Sequence, residues 1–198
     1  MKGLIKVFAV IMLFNSFKII AQSDTMRDSR DGKVYKTIKI GTQMWMTENM
    51  GYKIATSKDF TEYFLCYKTD EKNCEKYGML YTWDAAKKTC PAGWHLPSKE
   101  EYDTLLATVG KGNLEKAYTE LIEGGDSGFE SLLGGSFIGK FHNLGIMGSF
   151  WTSTEKTKDG AIPFLVSKGF KTACTSATPK KYAATRKENA LSVRCIKD

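Results

Sequence analysis

The stretch Cys90-Pro91-Ala92-Gly93-Trp94-His95-Leu96-Pro97-Ser98-Lys99-Glu100-Glu101-Tyr102 turns a loop into a helix at one defined point. Ser98 stands three residues before Glu101, the spacing of a capping box in which the hydroxyl and the carboxylate each take an orphan backbone N–H. A helix therefore starts here. Tyr102, Leu105, Leu106 and Val109 recur at i, i+3, i+4 and i+7, which lines one apolar stripe for burial. Gly110 is placed to end the helix in a left-handed conformation. A weaker helical pattern follows over residues 113–122.

Upstream the pattern is β. Residues 34–40 alternate, with Val34, Lys36, Ile38 and Ile40 on one face and Tyr35, Thr37 and Lys39 on the other, as in a strand. Gly41-Thr42 supplies a glycine-first two-residue turn into residues 43–46, which predicts a hairpin. Residues 52–73 are irregular and polar and read as a loop tied by Cys66 and Cys74. The aromatic run 77–83 leads into Asp84-Ala85-Ala86-Lys87-Lys88, which suits a short helix before Pro91. Downstream, glycine is dense over 124–148, interleaved with Phe129, Phe137 and Phe141, and no period holds. This reads as the variable surface loop. Short strands return at 149–153, 162–166, 182–185 and 191–196. With no repeat and no linker, the chain from about residue 22 onward is one α+β domain of short antiparallel strands, two helices and long loops.

The first residues read differently. Met1-Lys2-Gly3-Leu4-Ile5-Lys6 is basic, residues 7–14 are an unbroken apolar run, and Asn15, Ser16 and Lys18 follow at once. That is the layout of a secretory signal peptide, and the run is far shorter than the roughly 20 residues that cross a bilayer. Ala21 suits the position before a cleavage. Residues 1–21 are thus expected to leave, 22–30 to form a polar N-terminal segment and 31–198 to form the domain, without stable membrane insertion. The first cysteine is Cys66, so none is placed to carry a lipid directly after the cut.

Losing Lys2, Lys6 and Lys18 takes the formal charge from +7 to +4. The remaining basic residues are scattered and form no block, which argues against a nucleic-acid partner. Five cysteines in an exported chain point to an oxidising compartment, with one thiol left over. Several pairings are open. Cys66 and Cys74 would close a short loop, worth about 2–3 kcal/mol by chain entropy; Cys90 and Cys195 would tie the middle of the chain to its last strand, worth about 4–5 kcal/mol. Cys174 would then be the odd one. No Cys-x-x-Cys occurs and the only histidines are His95 and His142, too few ligands for a zinc site.

Four blocks together resemble a known family. They are the run from Asp31 through Thr37-Ile38-Lys39-Ile40-Gly41-Thr42-Gln43-Met44-Trp45-Met46 to Asn49-Met50, then Tyr77-Gly78-Met79-Leu80-Tyr81-Thr82-Trp83, then Cys90 to Ser98 with Glu101, and finally Phe150-Trp151-Thr152-Ser153-Thr154 with Ser192-Val193-Arg194-Cys195-Ile196-Lys197-Asp198. In order and spacing they are similar to the Fibrobacter succinogenes major paralogous domain. The resemblance implies an exported bacterial protein, secreted, periplasmic or at the cell surface, with a C-type lectin-like fold and no settled catalytic residue set. It also implies a Cys90–Cys195 bridge, since lectin-like folds join a helix region to the final strand in this way. The chain departs from calcium-dependent sugar-binding lectins: it has no Glu-Pro-Asn or Gln-Pro-Asp triplet and no Trp-Asn-Asp.

Few residues invite chemistry. Gly134-x-x-x-x-Gly139-Lys140 matches most of a phosphate loop, but Phe141 stands where a hydroxyl must reach magnesium. His95, between Trp94 and Leu96, reads as a packed histidine bonding to backbone, and His142 as an exposed loop residue. The four tryptophans read as core. No cofactor, metal or catalytic set is expected. The expectation is a non-catalytic recognition module that binds a glycan or protein through its loops, with Phe137, Lys140, Phe141, His142 and Asn143 as the ligand-binding residues. The alternatives are a structural cell-envelope protein, or an enzyme similar to the formylglycine-generating oxidases, which share a Leu-Pro-Ser-x-x-Glu helix entry and would need a reactive pair such as Cys174 and Cys195.

Overall fold

The computed structural model of the protein describes residues 23–58, 61–175 and 184–198. The expected signal peptide, and Tyr182 and Ala183 of the strand expected over 182–185, lie outside them. In chain order the strands of the first half are β1 (Ser23–Arg27), β2 (Val34–Ile40), β3 (Gln43–Met46), β4 (Phe64–Leu65), β5 (Leu80–Tyr81) and β6 (Trp94–His95). Those of the second half are β7 (Ser136–Phe137), β8 (Phe141–His142), β9 (Met147–Thr157), β10 (Gly160–Ser167), β11 (Thr172–Cys174), β12 (Thr185–Arg186), β13 (Leu191–Ser192) and β14 (Ile196–Lys197). The helices are α1 (Glu71–Tyr77), α2 (Trp83–Ala86), α3 (Lys99–Gly110) and α4 (Leu114–Leu121).

One sheet runs β1-β2-β3-β14-β6 and a second runs β11-β10-β9-β13-β5-β4, with β12 beside β10. The architecture is mostly sheet with a few helices, which fits α+β. Four helices rather than two are present among the described residues. Helix α2 is the short helix expected before Pro91, whereas α1 is unforeseen: at two turns it has no room for an amphipathic period and is fixed by its Asp70 cap and by the bridge from Cys74 to Cys66. Residues 52–73 are accordingly not all loop, since β4 and a 3-10 turn at Tyr67–Thr69 lie within them.

The two sheets are joined by the last strands. Residues Val193, Arg194 and Cys195 carry the chain from β13 to β14, and Met50 N–H and Met46 N–H donate to the carbonyls of Val193 and Cys195 at 2.8 and 3.1 Å. Two large apolar clusters fill most of the interior, with a smaller third around Tyr67, Leu80 and Ala190, and the central strands feed both large ones. Trp45 belongs to one and its neighbour Met46 to the other; Phe150 and Trp151 divide in the same way. This explains β2, where Tyr35 and Thr37 are buried on one face and Ile38 and Ile40 on the other. The twist of the strand takes its first half over one core and its second half over the other.

Helix α3 starts in the capping box expected of it, with Ser98 and Glu101 bonding reciprocally. Tyr102, Leu105 and Val109 are buried against Trp45, Phe164 and their neighbours. Gly110 does not form the left-handed cap; Lys111 does, at φ 49 and ψ 43. A Cβ on Gly110 would lie 2.8 Å from the Ala117 Cβ, so the glycine lets α4 close on α3. Helix α4 starts from Asn113, whose side chain accepts from Lys116 N–H at 2.9 Å. The β2–β3 turn is as expected: Ile40 pairs with Gln43, and Gly41 takes φ 61.

The polar segment before residue 31 is tied to this body. Strand β1 pairs antiparallel with β2, and Arg30 forks onto Asp28 at 2.7 Å and donates to the Thr89 carbonyl at 2.6 Å. The hydrogen bond from Arg30 holds the buried Asp28 carboxyl below the usual carboxylate range. Both disulfides, Cys66–Cys74 and Cys90–Cys195, are formed, and Cys174 is free. No helix among the described residues is long and apolar enough to cross a membrane.

Candidate functional site

The glycine-rich stretch divides into two parts with different duties. Phe129 is fully buried, edge-on to Trp45 at 5.6 Å, so residues around it belong to the core rather than to a surface loop. From Gly135 onward the chain forms a small hairpin, β7 and β8, with Ser136 opposite His142 and Phe137 opposite Phe141. Gly135 makes this possible. At φ 69 it takes a left-handed backbone, and a Cβ there would sit 2.4 Å from the His142 carbonyl oxygen and 2.9 Å from the Tyr67 ring.

The hairpin is pinned at its base. Phe137 N–H donates to the Ala190 carbonyl and Ala190 N–H returns to the Phe137 carbonyl, both at 2.9 Å. The Phe137 and Phe141 rings meet edge-on at 5.1 Å, and Phe141 lies 4.9 Å from the Tyr67 ring. Both phenylalanines are half-buried in a cluster with Tyr67, Leu80 and Ala190. At the tip Ile138 N–H donates to the Lys140 carbonyl at 2.9 Å, which leaves Ile138 48% exposed and Lys140 exposed. Asn143 then reverses the chain at φ 62, and its carbonyl accepts from Ile146 and Met147 N–H at 3.0 and 2.9 Å. Asparagine is among the residues that tolerate this conformation best.

All five expected ligand-binding residues thus lie on one supported hairpin and its exit turn. Phe137 and Phe141 supply the platform, while Lys140 and Asn143 face solvent and His142 is half-buried. The set offers an ammonium, an amide, an imidazole and aromatic edge, all suited to hydrogen-bond and packing contacts with a ligand. The sequence did not single out Ile138, which the tip turns outward.

His95 lies elsewhere, and the structure corrects its expected backbone bonding. Its Nδ1 meets Asp198 Oδ1 at 2.6 Å and its Nε2 meets Glu101 Oε1 at 2.8 Å, so the ring bridges the start of α3 to the end of β14. Both ring nitrogens are thus engaged by carboxylates. Burial works to lower its pKa, but the hydrogen bonds that the ring donates to the Asp198 and Glu101 carboxylates outweigh that and hold it above its ordinary 6.5. For Glu101, burial works upward, yet the Ser98 N–H and His95 bonds bring it below its ordinary 4.5. The sign follows. The histidine contribution is full below about pH 6.5 and fades as pH rises through the raised value, while the Glu101 contribution is full above about pH 4.5 and fades in acid. The bridge is therefore strongest between those limits. Urea unfolding at pH 5.5 and pH 8 should show a stability loss at the higher pH in the wild type that His95→Gln reduces; equal pH dependence in both would contradict it. The groups are partly exposed, so the effect is small.

Two further groups bear on chemistry. Cys195 is fully buried and bonded to Cys90, and Cys174 is half-buried, with burial pushing its thiol pKa upward, away from the reactive thiolate. Among the described residues no cluster of three or more His, Cys, Asp or Glu side chains is arranged to hold a metal ion.

Arg194 is fully buried, at 0% exposure. It donates to Asn49 Oδ1 from Nε at 3.2 Å and Nη2 at 2.7 Å, to the Glu130 carbonyl at 3.0 Å, and to the Phe129 carbonyl, with the Phe129 ring 4.5 Å away. Asn49 is itself fixed by donating to the Tyr77 carbonyl at 2.8 Å. Three of the four recognised sequence blocks, those holding Asn49, Tyr77 and Arg194, thus meet in one knot. Asn49, Phe129 and Arg194 are all buried, which gives the knot an architectural duty.

Comparison with known proteins agrees with these blocks. No curated protein and no solved structure matches the chain. A family match covers residues 38–197, from the middle of β2 to the end of β14, and takes in both cores, the Arg194 knot, the Cys90–Cys195 bridge and the hairpin. The chain belongs to the Fibrobacter succinogenes major domain family.

Proposed function

We propose that the protein is an exported, non-catalytic recognition module on a C-type lectin-like scaffold, binding a glycan or protein through the β7–β8 hairpin and its exit turn. The observation that carries this reading is the support of the hairpin: two backbone hydrogen bonds to Ala190 and the Phe137–Phe141–Tyr67 packing hold its base, while Ile138, Lys140 and Asn143 point outward. A site held in place before the ligand arrives loses less ordering entropy on binding.

Two disulfides support an extracytoplasmic home, since such bridges persist in oxidising compartments. Secretion, the periplasm and the cell surface all meet that condition. The oxidase-like alternative draws less support, because Cys195, one member of the thiol pair it needs, is engaged by Cys90.

The test is binding of the oxidised chain, residues 22–198, to an array of glycans and envelope proteins, with calcium and again with chelator. Binding that survives chelator is expected, because the chain lacks the calcium-ligating triplets of sugar-binding lectins. Silence on every spot, or binding lost with calcium, contradicts the proposal.

A further inference from the structure

A second exposed feature lies at the turn between β10 and β11. Ser167 pairs with Thr172, so residues 168–171 form a four-residue loop. The loop is built rather than slack: Phe170 N–H donates to Ser167 Oγ at 3.3 Å, and Lys171 takes φ 45. This geometry holds Phe170 at the tip, 80% exposed, between the exposed Lys168 and Lys171. Lys168 N–H donates to the Ile146 carbonyl at 2.9 Å, which sets the loop beside Ile146, itself 52% exposed. Neither lysine has an ion-pair partner among the described residues.

A phenylalanine this exposed on a protruding turn is a wedge. Left in water it costs free energy, and exposed apolar side chains grouped in this way mark contact surfaces. Its flanking cations specify the partner. A bilayer with anionic headgroups presents an apolar interior just beneath a negatively charged layer, the arrangement that an apolar tip between two ammonium groups complements. A soft lipid surface also needs no preformed pocket to receive the wedge.

We propose that the β10–β11 loop docks the protein peripherally on anionic phospholipid membranes, with Phe170 and Ile146 entering the headgroup boundary and Lys168 and Lys171 meeting lipid phosphates. Two cations and two apolar side chains give a weak, reversible attachment that salt screens. The proposal does not depend on the hairpin's ligand.

The test is flotation of residues 22–198 with vesicles of about 30% phosphatidylglycerol in phosphatidylcholine, at about 20 mM and about 500 mM salt. The wild type should float with these vesicles at low salt, and the bound fraction should fall by about tenfold in high salt, on pure phosphatidylcholine, and in Lys168→Glu/Lys171→Glu. Phe170→Ser should lose about fivefold or more, with an unchanged melting temperature since the side chain packs on little. Failure of the wild type to float on the anionic vesicles, as expected if the loop instead fits a protein pocket, overturns the proposal. So does full flotation of Phe170→Ser. Ile138→Ser/Lys140→Ser at the hairpin should float like the wild type, which separates this surface from the recognition site.

Discussion

Replacing Arg194 with methionine is expected to lower the unfolding free energy by about 3–5 kcal/mol, the scale on which breaking a buried charged network falls. The cation itself is expensive to bury, and burial pushes its pKa down to about 10, which still leaves it protonated at neutral pH. What the guanidinium returns is satisfaction of Asn49 Oδ1 and of the Phe129 carbonyl, both in buried hydrogen bonds, and of the part-buried Glu130 carbonyl. Methionine fills much of the volume but leaves those acceptors unmet, each costing about 1–3 kcal/mol. Lysine keeps the charge but has one ammonium to serve acceptors that the planar fork reaches from three nitrogens, so Arg194→Lys should recover only part of the loss. Urea titration measures both. Near wild-type stability in Arg194→Met would show that the knot contributes little.

Removing the Cys90–Cys195 bridge should have an effect of similar size. The cross-link closes a separation of 105 residues and, in the chain-entropy model, stabilises by about 4–5 kcal/mol. Cys90→Ala/Cys195→Ala should therefore melt about 8–20 °C below the wild type, at about 2–4 °C per kcal/mol for a domain of this size. Cys66→Ala/Cys74→Ala, which opens a separation of only 8 residues, should lose about half as much. Equal losses for the two pairs would show that local packing around each bridge outweighs loop closure.

What could be read in the sequence was what neighbouring residues decide between themselves. The capping box at Ser98 and Glu101 and the Tyr102–Val109 stripe are local, and α3 lies where they put it. The glycine-first turn at Gly41 is local in the same sense. The two faces of β2 were not legible, because alternation assumes one wet face and this strand passes from one core to the other. Gly110 is constrained not by the end of its own helix but by Ala117 across a helix pair, a contact no local pattern marks.

The candidate site shows the same division. Glycine density and the paired phenylalanines drew attention to the hairpin, but its strands of two residues are too short to show a period, and its anchor, Ala190, is more than fifty positions away. The His95 bridge was hidden because one partner, Asp198, is 103 residues distant. The Arg194 knot was hidden for a different reason: two of its acceptors are backbone carbonyls, which every residue possesses and no sequence pattern marks.

The recognition reading is tested most directly by comparing the wild type with Ile138→Ser/Lys140→Ser on the same array of glycans and envelope proteins. Both substituted side chains are exposed at the hairpin tip, so the melting temperature should not move. The account predicts wild-type binding that falls by about tenfold or more in the double variant, the loss expected when hot-spot contacts are cut. Full retention of binding by a correctly folded double variant would contradict it.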